Sequence, residues 1–212
     1  MRKAALHNLG CKVNSYETEA MTQLLKKAGY EIVSFQDQAD VYIINTCSVT
    51  NMADRKSRQM LHKAKKQNPN AVVVATGCYV QTATEKVVQD LSIDLVVGNN
   101  RKKDIVEILN EYYAEKEAGE QVKEEYVIDI NHTDEYEDLE ISTVTEHTRA
   151  HLKIQDGCNN FCSYCIIPYA RGRIRSRTME SIKAELERLS ASGFKEIVLT
   201  GINLSCYDDN GK

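Results

Sequence analysis

Six of the seven cysteines fall into two sets of three, and each set could build a metal–sulfur site. Cys158, Cys162 and Cys165 lie in DGCNNFCSYCIIPYARGR, spaced C-x3-C-x2-C directly after the apolar run LKIQ. Three thiolates at that spacing hold three irons of a [4Fe–4S] cube and leave the fourth iron open to a small molecule. A zinc knuckle would want a fourth ligand at short spacing, and none is present. The spacing also differs from the C-x2-C-x2-C run of bacterial ferredoxins.

Cys11, Cys47 and Cys78 are far apart in sequence but share a context. Each follows an expected strand by one to three residues, in KAALHNLGC, VYIINTC and AVVVATGC. Parallel strands gather their C-terminal ends on one sheet edge, where open α/β sheets place ligands. Gly10 and Gly77, just before two of these cysteines, suit a close approach of backbone to a bulky group. The set fits a zinc site with a fourth ligand elsewhere, or an iron–sulfur cluster with one open iron. Neither His7 nor His62 is well placed as that fourth ligand. The plainer reading is three small, buried thiols at strand ends.

The elements that must position these residues read as α/β. Strands are expected at 3–8, 31–35, 41–45, 71–76 and 95–97. Helices are expected at Ser15–Ala28, Met52–Gln67, about 82–91, and 102–117, with Leu24 and Leu25 on the buried side of the first. Such alternation argues for a largely parallel sheet over residues 1–119. Residues 120–147 carry ten acids and one base, a balance of −9 that leaves +5 on the rest of a chain of net charge −4. That stretch reads as an acidic interdomain connection, with Tyr126–Ile130 as a weak edge-strand signal. A second α/β unit begins over 148–212, with strands at 150–155 and 196–200 flanking a helix at 178–192. Two strands and one helix do not close a barrel, so this unit is expected to be incomplete here.

Two three-cysteine sites in this order resemble the radical-SAM methylthiotransferase family, in which a cluster-binding domain precedes a radical-SAM partial barrel. The resemblance spans essentially the whole chain. Within it, NLGCKVNSYETEA, INTCSVTN and GCNNFCSYCIIPYARGRIRSR look like the branch acting on N6-threonylcarbamoyladenosine in tRNA. Lys12, Val13, Asn14 and Val49-Thr50-Asn51 carry that distinction. The resemblance implies two [4Fe–4S] clusters and S-adenosyl-L-methionine as cofactors. The cluster at Cys158, Cys162 and Cys165 would activate a carbon–hydrogen bond of the adenine, and the one at Cys11, Cys47 and Cys78 would carry the sulfur. Tyr164 matches the aromatic that flanks the cofactor's adenine, and Gly201 the glycine at its methionyl amine. Cys206 matches no ligand position. The family continues into the rest of the barrel and a small RNA-binding β-barrel.

Arg171, Arg173, Arg175 and Arg177 form an alternating basic run beside this loop, suited to RNA phosphates or to the cofactor. The bases between Arg55 and Lys66 make a second patch, which reads equally as a solvated helix face. The expected partners are a tRNA substrate and an electron donor such as flavodoxin or ferredoxin, with no membrane and no DNA. With no signal-like or membrane-length apolar run, the expected compartment is the cytoplasm, where thiols stay reduced. Competing classes are methylthiolation of isopentenyladenosine or of a ribosomal protein, an iron–sulfur electron-transfer protein, and a zinc-stabilised RNA-binding module.

Overall fold

Val41–Thr46 and Val72–Gly77 are buried at every position, as strands covered on both faces by helices must be. The computed structural model describes residues 1–119, 124–141 and 149–209. Along the N-terminal part run β1 (Lys3–Asn8), α1 (Lys12–Lys27), β2 (Glu31–Ile32), β3 (Val41–Thr46), α2 (Asn51–Gln67), β4 (Val72–Gly77), α3 (Cys78–Thr82), α4 (Thr84–Val88), β5 (Leu95–Val97), α5 (Ile105–Glu117) and β6 (Glu124–Tyr126). Among the described residues, six strands form one sheet in the order β2-β1-β3-β4-β5-β6, and every pairing is parallel. One face packs against α2, α3 and α4 through Leu61, Ala64, Val80 and Val87. The other packs against α1 and α5 through Met21, Leu25, Ile105 and Leu109. Each fully buried branched side chain contributes about 1.5–3 kcal/mol.

The second unit holds β7 (Ala150–Lys153), β8 (Gln155–Asp156), α6 (Ile167–Arg171), β9 (Arg175–Ser176), α7 (Met179–Ala191) and β10 (Ile197–Thr200). β7 and β10 pair in parallel, as β-α-β units do, while β8 and β9 pair antiparallel beside the cysteine loop. Helix α1 serves both units. Its Met21 and Leu25 face the sheet, while Tyr16 and Ala20 join Leu152, Ile182 and Leu189 in a second-unit core. Leu24, expected to be buried, is partly buried at the seam of these two clusters.

Three expectations change in detail. The helix expected at about 82–91 is two short helices broken at Ala83. There Thr82 and Thr84 turn their hydroxyls back to the carbonyls of Cys78 and Val80, a local competition that disfavours one continuous helix. The strand at 31–35 stops at Ile32, and Phe35 leaves it to stack on Tyr42 and His7. The edge strand lies at Glu124–Tyr126 rather than Tyr126–Ile130. Beyond it the acidic stretch packs rather than floats: Ile130, Leu139 and Ile141 are buried, and Tyr16 donates a hydrogen bond to the Leu139 carbonyl. Residues 120–123 and 142–148 lie outside the described residues.

Gly77 ends β4 at φ +96°, and a Cβ there would stand 2.5 Å from Asn45 Oδ1 and from the Thr46 carbonyl oxygen. Gly77→Ala is therefore expected to destabilise the protein by about 1–3 kcal/mol. A lowered urea midpoint at unchanged slope reports this, and an unchanged midpoint refutes it.

Candidate cluster sites and the cleft between them

Register puts the first set of thiols together. Asn8 pairs with Asn45 and Thr46 with Gly77, so β1, β3 and β4 end side by side. Cys47 and Cys78 are the next residues on neighbouring strands, whose backbones lie roughly 4.8 Å apart. Cys11 caps the N-terminus of α1 from the third strand end. Asn14, buried on the first turn of α1, ties the ends of β1 and β3 to each other. Its amide donates to the carbonyls of Leu9 at 2.8 Å and Thr46 at 2.9 Å, and its Oδ1 lies 3.7 Å from Cys11 Sγ. Burial pushes the Cys47 thiol above its ordinary value, and the neighbouring Cys78 and Cys11 push the same way.

Arg171, which ends α6 in the second unit, reaches across to this set. Its Nε donates to Cys78 Sγ at 3.2 Å, and its Nη2 to Asn14 Oδ1 at 2.5 Å. The rest of its guanidinium is held by Glu17 at 2.5 Å and Asp156 at 3.2 Å. Glu17 also takes Lys102 at 2.7 Å and Lys153 at 2.9 Å, and Lys153 takes Asp156 at 2.6 Å. All five side chains are buried. Burial alone would raise the Asp156 carboxyl, but Lys153 and Arg171 hold it at about 2. Burial would raise Glu17 too, and Arg171, Lys102 and Lys153 carry it well below the carboxylate range.

The second set sits on a tight loop. Gly157, at φ +74°, brings the backbone so close to Arg173 that a Cβ would stand 1.8 Å from its carbonyl oxygen. Cys158 N–H then bonds the Gly172 carbonyl at 3.0 Å, and a turn bonds Cys165 N–H to the Cys162 carbonyl at 2.9 Å. Cys158 and Cys165 are half-buried and Cys162 is exposed. Among the described residues no three His, Cys, Asp or Glu side chains are arranged to hold a single metal ion. The donor chemistry nonetheless suits a thiolate-held cluster. The first set has positive-φ glycines just before Cys11 and Cys78, with Gly10 so close to Cys47 that a Cβ would stand 3.0 Å from its Sγ, and a guanidinium donor on one sulfur.

Residues 3–98 match the uncharacterized protein family UPF0004, and residues 152–212 match the radical SAM superfamily. The chain is 46% identical over its whole length to threonylcarbamoyladenosine tRNA methylthiotransferase MtaB of Bacillus subtilis, covering 46% of that protein. It is 44% identical over 97% of its length to the MtaB of Aquifex aeolicus, covering 49% of that protein. Over nearly its whole length the chain is thus similar to tRNA methylthiotransferases. It is also 34% identical to a tRNA-2-methylthio-N(6)-dimethylallyladenosine synthase of Bacteroides fragilis, over 97% of its length and 44% of that protein's. It spans about half the length of these curated relatives. In fold it is similar to the radical S-adenosylmethionine methyltransferase TsrM of Kitasatospora setae, with a TM-score of 0.65 at 15% identity, covering 97% of this chain and 48% of that one. The match of residues 152–212 to the radical SAM superfamily supports S-adenosylmethionine and iron–sulfur chemistry.

The arginine run needs correction. Arg171, Arg175 and Arg177 are buried and cannot lie against RNA phosphates as they stand. Each is held inward by its own partners: Arg171 by the buried carboxylates above, Arg175 by the Arg171 carbonyl, and Arg177 by Glu185 at 2.5 Å and Asp138 at 2.8 Å. Arg173 alone is exposed, its guanidinium 4.5 Å from the Phe161 ring centroid. On the second basic patch, Lys65 is committed to Asp94 at 2.8 Å, while Arg55 and Lys56 are exposed. His7 stacks on Phe35 and His62 pairs with Asp90, so neither turns to the thiols. Gly201 backs onto Gln155, with a Cβ placed 3.0 Å from its side chain. Cys206 lies 3.2 Å from the Asn203 amide, which also reaches Cys158 Sγ at 3.8 Å.

Tyr164 is 91% exposed and points into an open cleft of about 380 Å³. Ser48 and Tyr79, next to Cys47 and Cys78, line that cleft together with Tyr164 and Ile166, which flank Cys165. The lining thus includes chain neighbours of Cys47, Cys78 and Cys165, and none of the six cysteines themselves. Residues that sequence reasoning missed are those that hold the units in this relation: Glu17, Lys102, Lys153, Asp156 and Asn99. One signal was available, because Glu17 stands four residues from Val13 and from Met21 on the apolar face of α1.

Arg171→Leu removes a buried cation from paired carboxylates and should cost roughly 3–5 kcal/mol. Arg173→Leu, at an exposed position, should stay within about 0.5 kcal/mol. Chemical denaturation of the two variants side by side checks the contrast, and equal effects would contradict the buried assignment.

Proposed function

We propose that this chain is the cluster-bearing part of a tRNA methylthiotransferase that converts N6-threonylcarbamoyladenosine, next to the anticodon, to its 2-methylthio derivative. One observation carries the reading: residues adjacent to cysteines of both sets, Ser48 and Tyr79 on one side and Tyr164 and Ile166 on the other, line the same cleft, so a base placed there would lie close to both. The cleft volume of about 380 Å³ falls in the range of roughly 300–1,000 Å³ typical of small-molecule sites. The 44–46% identity to MtaB proteins against 34% to a dimethylallyladenosine synthase favours the threonylcarbamoyl substrate.

In this reading Cys11, Cys47 and Cys78 hold an auxiliary [4Fe–4S] cluster, and Cys158, Cys162 and Cys165 hold the cluster that binds S-adenosylmethionine. When bound, these groups supply one-electron cleavage of the sulfonium, removal of hydrogen from the base and delivery of a methylthio group. The chain's own residues do the positioning. Gly157 lets the loop fold back on Arg173 just before Cys158, and Gly201 leaves room beside Gln155 for the methionyl end of the cofactor. Tyr164 offers a ring face to an adenine. Arg171 donates to Cys78 and so orients one ligand of the auxiliary cluster. Arg173, the exposed member of its run, is the one placed to meet RNA or cofactor phosphate. A base reaching this cleft must leave its stack, as in other enzymes that act on a base ring.

The partners in this reading are tRNA and a small electron carrier such as flavodoxin or ferredoxin, in the cytoplasm. Residues 1–119 form the auxiliary-cluster domain, 120–147 the connection and 148–212 the start of the radical-SAM domain. No helix among the described residues is long and apolar enough to cross a membrane.

Mass spectrometry of tRNA nucleosides from cells with and without the gene tests the reading. Loss of 2-methylthio-threonylcarbamoyladenosine with accumulation of its precursor is expected. Loss of the dimethylallyl derivative instead would move the substrate assignment, and no change in either would remove tRNA. The two sets separate as well. Replacing Cys158, Cys162 and Cys165 by Ala should halve bound iron and abolish deoxyadenosine release under anaerobic reduction. Replacing Cys11, Cys47 and Cys78 should halve iron yet leave that release measurable while methylthiolation is lost.

A further inference from the structure

The cleft lined by neighbours of both thiol sets carries two cations. Arg58, from α2, and Lys86, from α4, line it alongside Thr50, Asp54 and Tyr79. The same three residues Arg58, Tyr79 and Lys86 also line an adjoining hollow of about 300 Å³, floored by Leu61, Val87 and Ile93. Arg58 is drawn to the cleft wall: its Nη1 donates to the Tyr79 hydroxyl at 3.4 Å, and its guanidinium carbon lies 5.7 Å from the Tyr79 ring centroid. Unlike Lys65, neither Arg58 nor Lys86 forms an ion pair within 4 Å among the described residues. Other charges facing this space are Asp54, beside Arg58, and Asp90, which is engaged with His62 at 2.7 Å. In addition, α2 begins here with Thr50 as its cap, so its partial positive end opens on the cleft.

A guanidinium is charged at every working pH and presents a fork that matches a carboxylate. An apolar substituent would strip water from Arg58 and Lys86 and return nothing, at a cost. A substituent ending in a carboxylate would instead gain charge-assisted hydrogen bonds from both. The threonylcarbamoyl group ends in a carboxylate, and the dimethylallyl group is a plain hydrocarbon. We propose that Arg58 and Lys86 are the specificity-determining residues, receiving the carboxylate of the substituent on the substrate adenine where the two hollows meet. This rests on the functional reading above and adds to it the means by which the substrate is chosen. Tyr79 fixes the orientation of Arg58, and Leu61, Val87 and Ile93 form an apolar floor for the threonyl methyl group.

The test uses cluster-loaded full-length protein and four anticodon stem-loops of one sequence. They carry adenosine, threonylcarbamoyladenosine, its methyl ester, or dimethylallyladenosine, and binding is followed by fluorescence anisotropy without oxygen. The native protein should bind the free acid roughly tenfold or more tighter than the ester, since the ester removes the charge and little else. In Arg58→Met combined with Lys86→Met that ratio should fall to about one, and Arg58→Lys should keep part of it. Both side chains are exposed, so the fold should hold, and far-UV circular dichroism confirms it. A ratio unchanged in the double variant overturns the proposal and leaves the substrate reading standing. An equal loss for all four RNAs overturns it as well, by showing that the two cations meet only phosphate. If the native protein prefers the dimethylallyl RNA or treats all four alike, the substrate reading itself falls, and this proposal with it.

Discussion

Glu17 is buried in the middle of α1 with no water to turn to, so its carboxylate must find its partners inside the protein. It finds Lys102 from the N-terminal unit and Lys153 and Arg171 from the second unit. A buried charge of this kind tolerates little rearrangement, because losing one partner leaves another charge stranded. Two units joined through such a centre are held in one relation. That relation makes the cleft, since it places Tyr164 and Ile166 opposite Ser48 and Tyr79.

The apolar contacts around this centre are less specific but point the same way. Helix α1 has apolar residues on two sides, one packed on the parallel sheet and one on the β7–α7–β10 unit. The acidic stretch contributes Leu139 and Ile141 to the second of these clusters and Glu137 to the backbone N–H of Lys103. A segment with too few apolar residues to fold alone can still be ordered by joining a core that others provide. Arg177, Glu185 and Tyr16 repeat the device a few residues away, again crossing from α1 to the second unit.

Chemistry and mechanical stability share residues here. Arg171 both closes the charge centre and donates to Cys78, and Asn14 both ties the strand ends and accepts from Arg171. Replacing either residue therefore disturbs the buried frame and the surroundings of Cys78 together. Arg58 and Lys86, in contrast, lie outside every buried network among the described residues and can be changed with the frame intact. Residues free of structural duty are the ones a protein can use to choose among related substrates.

That Cys11, Cys47 and Cys78 follow neighbouring buried strands was legible without coordinates, because a thiol after each apolar run is a local pattern. So was the parallel sheet, since buried β-branched runs separated by helical stretches leave few alternatives. The arginine run was misread for an equally local reason. An alternating charge pattern looks the same whether its side chains turn to solvent or to partners distant in sequence. Arg171 and Glu17 are separated by 154 positions, and nothing in either neighbourhood announces the other. Pairing of that kind, and the common cleft it creates, depends on how two packed units meet, and it exists only once the chain has folded.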